Sequence, residues 1–499
     1  MCKRCDSMCR RAAIILLGVV LCIFPCLFSP RAGAQSGDVD WSTPVNLFPP
    51  YEIGGTGPQN IVADSSGAAH LFWGYTYTDG PFQEGYIYYA RWDGVSWSEP
   101  LDILYSPEGR CAAGPLCIVD PKTGVLHLMW IGEKIGRQDP RTYYSRAHAS
   151  DAGSVHAWTP PVVFPYIPYE ASDPFFTIDQ DGIWHVIYTQ ETGDHWTIYY
   201  IKSTDGGHNW SEPSPVEYET PVSTQIIHKS MQIDGRGRLH TTWAEYAIGG
   251  RNLFYARSLD GGQTWTPPLE VASGYYQSLE IAITDQNTIH LLWNGSAGDR
   301  GRYHQWSSDG GETWSAPVRF MHTSGYAGGP STVLDSAGIL HLATTTGGAG
   351  IALSTYWNGT NWAEPRQIVY GDYTEHAKLA ITEGNRLIVC GIGRTKGYDE
   401  FNAIWCATGR TSAPFVPPKP LPTPAPTPTL PPTLTTVPTQ TPTATPQSNP
   451  GVSSIDTTPY PDDTVRTNPW HQLMAGILPV TLVIAVVIFT RVARHRRNW

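Results

Sequence analysis

The amino-acid sequence predicts an all-β fold: a seven-bladed β-propeller closed by an N-terminal strand, then a disordered Pro/Thr stalk and one C-terminal transmembrane helix. Three observations carry this. Two short elements alternate along residues 39–413, and self-similarity at a fixed spacing marks a repeat architecture. The spacing is roughly 53 residues, which suits four short strands, the content of one blade. The apolar runs are short, either alternating or wholly apolar, and Gly, Asp, Asn and Pro separate them, with no helical period.

The first element is a turn with a strand after it. It reads "DSSGAAHLFW" (64–73), "DPKTGVLHLMW" (120–130), "DQDGIWHVIY" (179–188), "DGRGRLHTTW" (234–243), "DQNTIHLLW" (285–293), "DSAGILHLA" (335–343) and, degenerate, "TEGNRLIVC" (382–390). His70, His127, His185, His240, His290 and His341 hold one register in it. They are expected to be buried strand residues bonded to a neighbouring turn; the alternative is a ring of equivalent ligand sites. The second element is a strand, a tight turn and a Trp, as in "YYARWDGVSWSEP" (88–100) and "HQWSSDGGETWSAP" (304–317). The two ends of the array are complementary. "VDWSTPVNL" (39–47) is a Trp-Pro segment with no strand before it, and "NAIWCATGR" (402–410) is a strand with no Trp-Pro segment after it. The N-terminal segment should therefore complete the last blade and leave no exposed sheet edge at the seam.

Three copies of the second element, "STDGGHNW" (203–210), "SLDGGQTW" (258–265) and "SSDGGETW" (307–314), follow Ser-x-Asp-x-Gly-x-Thr-Trp. Only the first departs, at the Thr position. On these residues the chain resembles the Asp-box (BNR-repeat) sialidase-like propellers. Ser203, Asp205, Gly207 and Trp210, with Ser258, Asp260, Gly262 and Trp265 and with Ser307, Asp309, Gly311 and Trp314, are expected to be structural. Ser and Asp side chains hydrogen-bond their own turn. The resemblance places this turn between the third and fourth strands of a blade, on the face away from the substrate. It also brings a test for hydrolysis. Sialidases need an arginine triad, a Tyr–Glu nucleophile pair and an acidic general acid, and their first arginine precedes the first inner strand. Here Ala32 to Ala90 contain no Arg and no Lys, so that arginine is missing from its place. The family enzymes also usually have six blades, not seven.

The ends of the chain add a location. Residues 1–34 combine a basic start, an apolar run and an Ala-x-Ala-like site, and are expected to be a signal peptide. Residues 414–470 are dominated by Pro and Thr and are expected to be the disordered stalk. Residues 473–490 carry no charge and are long enough to span a bilayer. The arginines of 491–499 predict a cytoplasmic tail. This makes a single-pass cell-membrane protein with its propeller outside. Between residues 35 and 490 stand 24 basic and 43 acidic residues, a balance of about −19, which argues against nucleic acid as a partner. Two disulfides are expected outside the cell, Cys111 with Cys117 across a short loop and Cys390 with Cys406 between neighbouring strands. No Cys/His spacing predicts a metal site, and no cofactor is implied.

Function should then sit on the face opposite the boxes, where the loops are rich in Tyr, Glu, His and Gly. Aromatic rings with a few polar groups suit sugars. The expected ligand contacts are Tyr51, Glu52, Arg110, Glu170, Asp173, His228, Tyr275, Tyr276, Tyr326 and His376. Candidate catalytic residues are Asp372, Tyr373, Glu375, Arg394, Tyr398, Glu245 and Arg251, which together offer carboxylates and an anion clamp. The leading expectation is recognition of a glycan or another extracellular ligand. A sialidase-like exo-glycosidase is the alternative, and a protein–protein scaffold is a further one.

Overall fold

The computed structural model describes residues 37–423, apart from 48–54, 78–83, 108, 135–139, 165–171, 193–194, 222–223, 248–249, 275, 285–286, 296–299, 324–327, 347–349, 370–373 and 395–400. The expected signal segment, the stalk beyond residue 423, the apolar run 473–490 and the basic tail lie outside the described residues. Among the described residues no helix is long and apolar enough to cross a membrane.

The strands pair in seven antiparallel sheets, each a propeller blade. Blades 1 to 6 span 55–105, 109–163, 172–221, 225–272, 276–321 and 331–369, with four strands each in chain order. The first strand of each blade touches the first strand of the next, through blade 7 and back to blade 1, so the first strands line the axis. Blade 7 is assembled from both ends of the domain. Thr374–Thr382, Arg386–Arg394 and Phe401–Arg410 are completed by Asp40–Trp41 and Val45–Asn46. Asp40 lies opposite Arg410, and Val45 opposite Cys406.

There is no single core. Each of the seven seams between blades holds its own apolar cluster. Aromatic pairs directly opposite on the second and third strands anchor most blades. Trp73 stacks on Tyr88, Trp130 on Tyr143, Trp243 on Phe254 and Trp293 on Tyr303, with centroids 5.7–5.8 Å apart. Such pairs contribute about 0.5–1.5 kcal/mol beyond the area they bury.

The recurrent histidines are buried, and His70, His185 and His341 tie strand to turn. His70 Nε2 donates to Asp64 Oδ2 at 3.1 Å, and His341 Nε2 to Asp335 Oδ2 at 3.0 Å. That tautomer leaves Nδ1 to accept from a third-strand hydroxyl: Tyr89 for His70, Tyr200 for His185 and Tyr255 for His240, at 2.7–2.8 Å. Blade 5 varies the theme. Thr284 takes the aspartate's place in the turn, its N–H bonding Thr288 O. His304 replaces the tyrosine. Trp362 Nε1 donates to His304 Nδ1, so His304 Nε2 carries the proton toward His290 Nδ1, 2.9 Å away. Burial favours the neutral form of His70, His127, His185, His240 and His290. It lowers His127 to about 3 and both His240 and His290 to about 4. Burial by itself would raise Asp64, but the hydrogen bonds from His70 and Ser66 outweigh it and keep the carboxyl below its usual value.

The three Asp boxes join third to fourth strands. Ser307 Oγ donates to Asp309 Oδ1 at 2.7 Å, and the Gly311 N–H donates back to Ser307 Oγ at 2.8 Å. Asp309 Oδ1 also accepts the N–H of Glu312 and of Thr313. The same bonds recur around Asp205 and Asp260 and lower both carboxyls to about 2; the largest contribution is Asn209's backbone N–H for Asp205 and the Thr264 side chain for Asp260. Each box also grips the blade before it. Lys202 donates to Gly261 O at 2.9 Å, Arg257 pairs with Glu312 at 2.6 Å, and Trp314 meets the Tyr255 ring edge-on at 4.9 Å. Gly262 has φ +89°, and a Cβ there would collide with the Tyr200 ring.

Cys390 and Cys406 are directly opposite and form a disulfide. The expected Cys111–Cys117 bridge is a correction: Cys117 is a buried free thiol. Both residues lie on one strand, Gly109–Val119, rather than flanking a loop. Six residues of extended chain separate them by about 20 Å, and a disulfide needs Cα atoms within about 7 Å. The first ten residues of the stretch expected as stalk also lie against the ring, as detailed below.

Three outcomes are expected from these contacts. Gly262→Ala should lower stability by more than about 1 kcal/mol, because the left-handed φ strains any side chain even before the clash; an unshifted urea midpoint would contradict the packing. Reducing Cys390–Cys406, whose sequence separation is 16, should cost about 3 kcal/mol, read from urea curves with and without reductant. The third concerns pH. His70, His127, His185, His240 and His290 titrate below their unfolded value of 6.5, so between the two values the unfolded chain binds more protons. Their contribution is complete above pH 6.5 and is lost as pH falls toward 4 and 3. Calorimetry should show Tm dropping steadily from pH 7 to 4, and a flat profile would show that the rings are not held neutral.

Candidate functional site

Six of the seven first strands are irregular at the same height. Pairing with the second strand breaks between Thr56 and Gln59, Ala113 and Leu116, Ser172 and Phe175, Ile227 and Ser230, Gln277 and Glu280, and Glu375 and Lys378. In blades 1 to 3 a proline explains the break, since Pro58, Pro115 and Pro174 have no N–H for the ladder. Blades 4, 5 and 7 bulge without proline, at His228-Lys229, Ser278-Leu279 and His376-Ala377. Ser278 and His376 instead adopt left-handed backbone, φ 51° and 53°. Non-glycine residues rarely do so, and such strain tends to gather at functional sites.

The bulges of blades 4, 5 and 7 line a cavity of about 310 Å³ on the propeller axis. Its chemistry comes from first strands: Lys229 and Ser230 of blade 4, Ser278 and Glu280 of blade 5, and His376 and Lys378 of blade 7. Phe175 and the Gly328–Pro330 segment supply apolar and backbone wall. Lys229 is 6% exposed. Burial pushes the Glu280 carboxyl up, and Lys378 and the Thr332 hydroxyl, 3.3 Å from Oε1, oppose that shift. Gln59 of blade 1 donates to the His376 and Cys390 carbonyls and so fixes the strained turn from the neighbouring blade. The cavity therefore offers two ammonium groups, a carboxyl poised toward its neutral form, two hydroxyls and an imidazole. Among the described residues no group of three His, Cys, Asp or Glu side chains is placed to hold a metal ion.

The residues singled out from the sequence distribute unevenly. His376 lines the cavity. Glu245 is 9% exposed near the end of a blade 4 strand, where Trp243 Nε1 donates to it at 3.4 Å. Arg251 sits opposite Tyr246 with its guanidinium over that ring, 4.8 Å from the centroid. Neither Glu245 nor Arg251 is among the residues lining the cavity. Arg110, Asp173, His228, Tyr276, Glu375 and Arg394 lie on described strands, but their side chains are outside the described residues. Tyr51, Glu52, Glu170, Tyr275, Tyr326, Asp372, Tyr373 and Tyr398 fall outside the described residues altogether.

Sequence reasoning missed Lys229, Ser278, Glu280 and Lys378, because it looked to loops and these are strand residues. A signal was present. Glu280 and Lys378 pair with the second strand at the position that Leu116 and Phe175 hold in blades 2 and 3. Charge at a repeat position that is uncharged in the sibling units marks a site.

No curated protein matches the chain. Among solved structures, the α-L-arabinanase of Penicillium chrysogenum is 12% identical, covering 75% of this chain and 99% of that one at TM-score 0.43. The intramolecular trans-sialidase of Ruminococcus gnavus is 13% identical, covering 76% and 98% at TM-score 0.41. An ulvan lyase is 12% identical, covering 72% and 95% at TM-score 0.49. Residues 169–324 match the BNR repeat-like domain. That match spans the three boxed hairpins, whose Ser–Asp–Gly–Trp geometry agrees with it, and over these residues the chain is similar to the BNR-repeat, Asp-box propellers.

Proposed function

We propose that this propeller recognises a glycan in its axial cavity and does so at the cell surface. The observation that carries the reading is the strained pair Ser278 and His376, set beside Lys229, Glu280 and Lys378 around one cavity. A sugar presents many hydroxyls and some bear carboxylates, and this wall supplies donors, acceptors and positive charge within one site. The Phe175 ring adds an apolar surface for a sugar face. The leader-like residues 1–34, the uncharged run 473–490 and the arginines after it support the surface location.

A second reading, an exo-glycosidase, is favoured by one observation: burial raises the Glu280 carboxyl, and a carboxyl kept neutral can act as a general acid. Most glycosidases need two carboxylates, and among the described cavity residues Glu280 is the one present.

The two readings separate on the purified protein. Glycan-array and calorimetric binding should find a saccharide ligand. Lys378→Met should weaken its binding at least about tenfold, the loss expected when a charged hydrogen bond is removed, while Lys122→Met on the opposite face should leave it unchanged. Undiminished binding in Lys378→Met would remove the cavity as the site, and silence on the array would favour a protein ligand. Turnover of chromogenic glycosides that Glu280→Gln abolishes without loss of binding would establish the enzyme instead.

A further inference from the structure

The Pro-rich segment after the last strand does not leave the ring at once. Residues 413–423, "APFVPPKPLPT", run across the face that carries the strand-one-to-strand-two turns. They pass from blade 6 over blade 7 and blade 1 to blade 2. Ser336 of blade 6 donates its hydroxyl to Pro414 O. In blade 7, Asn385 Nδ2 donates to Ala413 O at 3.0 Å, and the Val416 N–H donates to Glu383 O at 2.8 Å. In blade 1, the Lys419 N–H donates to Ser65 O at 2.7 Å. In blade 2, His148 Nε2 donates to Pro422 O at 2.9 Å, and Leu421 packs on the blade 1–blade 2 cluster.

The turns are shaped for this guest. A Cβ on Gly384 would meet the Val416 side chain, one on Gly67 would lie 3.1 Å from Pro418, and one on Gly124 would lie 3.2 Å from Pro422. Proline suits the guest in turn, because a chain already restricted to extended backbone loses little entropy on docking.

We propose that residues 413–423 are a clasp that locks the ring across its closure seam and takes the first pull of the chain that follows. The seam lies in blade 7, where two two-residue strands from the N-terminal side complete the sheet. Pairing that short is weak by itself. The clasp bridges from blade 6 to blade 2 and so spans the seam from both sides. Tension entering at Thr423 meets its contacts in series, Pro422 before Lys419 and Lys419 before Val416, before it reaches the strand Phe401–Arg410. That strand is stapled in turn by Cys390–Cys406.

The test is hydrogen exchange on the whole protein. Prolines leave few amides in the segment, which makes Val416 and Lys419 individually readable. Both should exchange at least about tenfold slower than in the isolated peptide 411–425, whereas Phe415, exposed and with no hydrogen bond seen among the described residues, should exchange like the peptide. A Val416→Pro/Lys419→Pro double variant deletes both donors while keeping the segment extended. It should lower Tm by about 2 °C or more and speed exchange in Asp40–Asn46. Peptide-like exchange at Val416 and Lys419 in the wild-type protein would overturn the clasp. So would an unchanged Tm together with unchanged protection of Asp40–Asn46 in the double variant. Neither outcome depends on whether the axial cavity binds a glycan.

Discussion

A four-stranded sheet has two unpaired edges and two faces, and alone it buries too little to stand. Seven such sheets are stable here because each covers its neighbours' faces and the first strands meet around an axis. That arrangement works only if the seventh blade is completed, since one missing outer strand would leave the Phe401–Arg410 edge open to any passing chain. The joint that meets this constraint is small. Asp40–Trp41 and Val45–Asn46 give only four residues of pairing. The neighbouring disulfide and the strap of residues 413–423 sit where that smallness would matter most.

The two faces of the ring solve different problems. On the box face the chemistry repeats. Turn aspartate, strand histidine and third-strand tyrosine form a buried relay, and each box grips the blade before it through Lys202, Arg257 or a Trp edge. Buried polar groups of this kind are tolerable where they are hydrogen-bonded, as His70 is on both ring nitrogens, and they specify register between sheets that apolar contact alone would leave loose. Along the axis, toward the opposite face, the repeat is broken on purpose. Proline makes the bulge in three blades, and left-handed Ser278 and His376 make it in two others. The side chains at or beside these breaks, Lys229, Glu280 and Lys378, are those that give the cavity its charge.

A protein with a strong overall negative balance thus encloses two lysines at its centre. Lys229 is nearly inaccessible, and Lys378 is coupled to Glu280. Burying such groups costs free energy that packing does not return. A fold needing only stability would place Leu or Phe at the Lys378 position, as blades 2 and 3 do with Leu116 and Phe175.

Much of this was legible in the residues alone. The period of the repeat, the boxes, the buried histidine register, the complementary ends and the Cys390–Cys406 pair depend on local spacing and strand adjacency, and these are properties a linear sequence carries. Tertiary structure decided the rest. Cys111 and Cys117 look like a loop pair until the strand between them is seen to be extended. Residues 413–423 look like free stalk until the turns of four blades are found beneath them. The cavity was invisible for the same reason. Lys229, Glu280, His376 and Lys378 are separated by up to about 150 positions along the chain, and only closure of the ring brings blades 4, 5 and 7 to one axis. Local pattern determines what each blade is, whereas long-range packing determines which residues face one another across the centre.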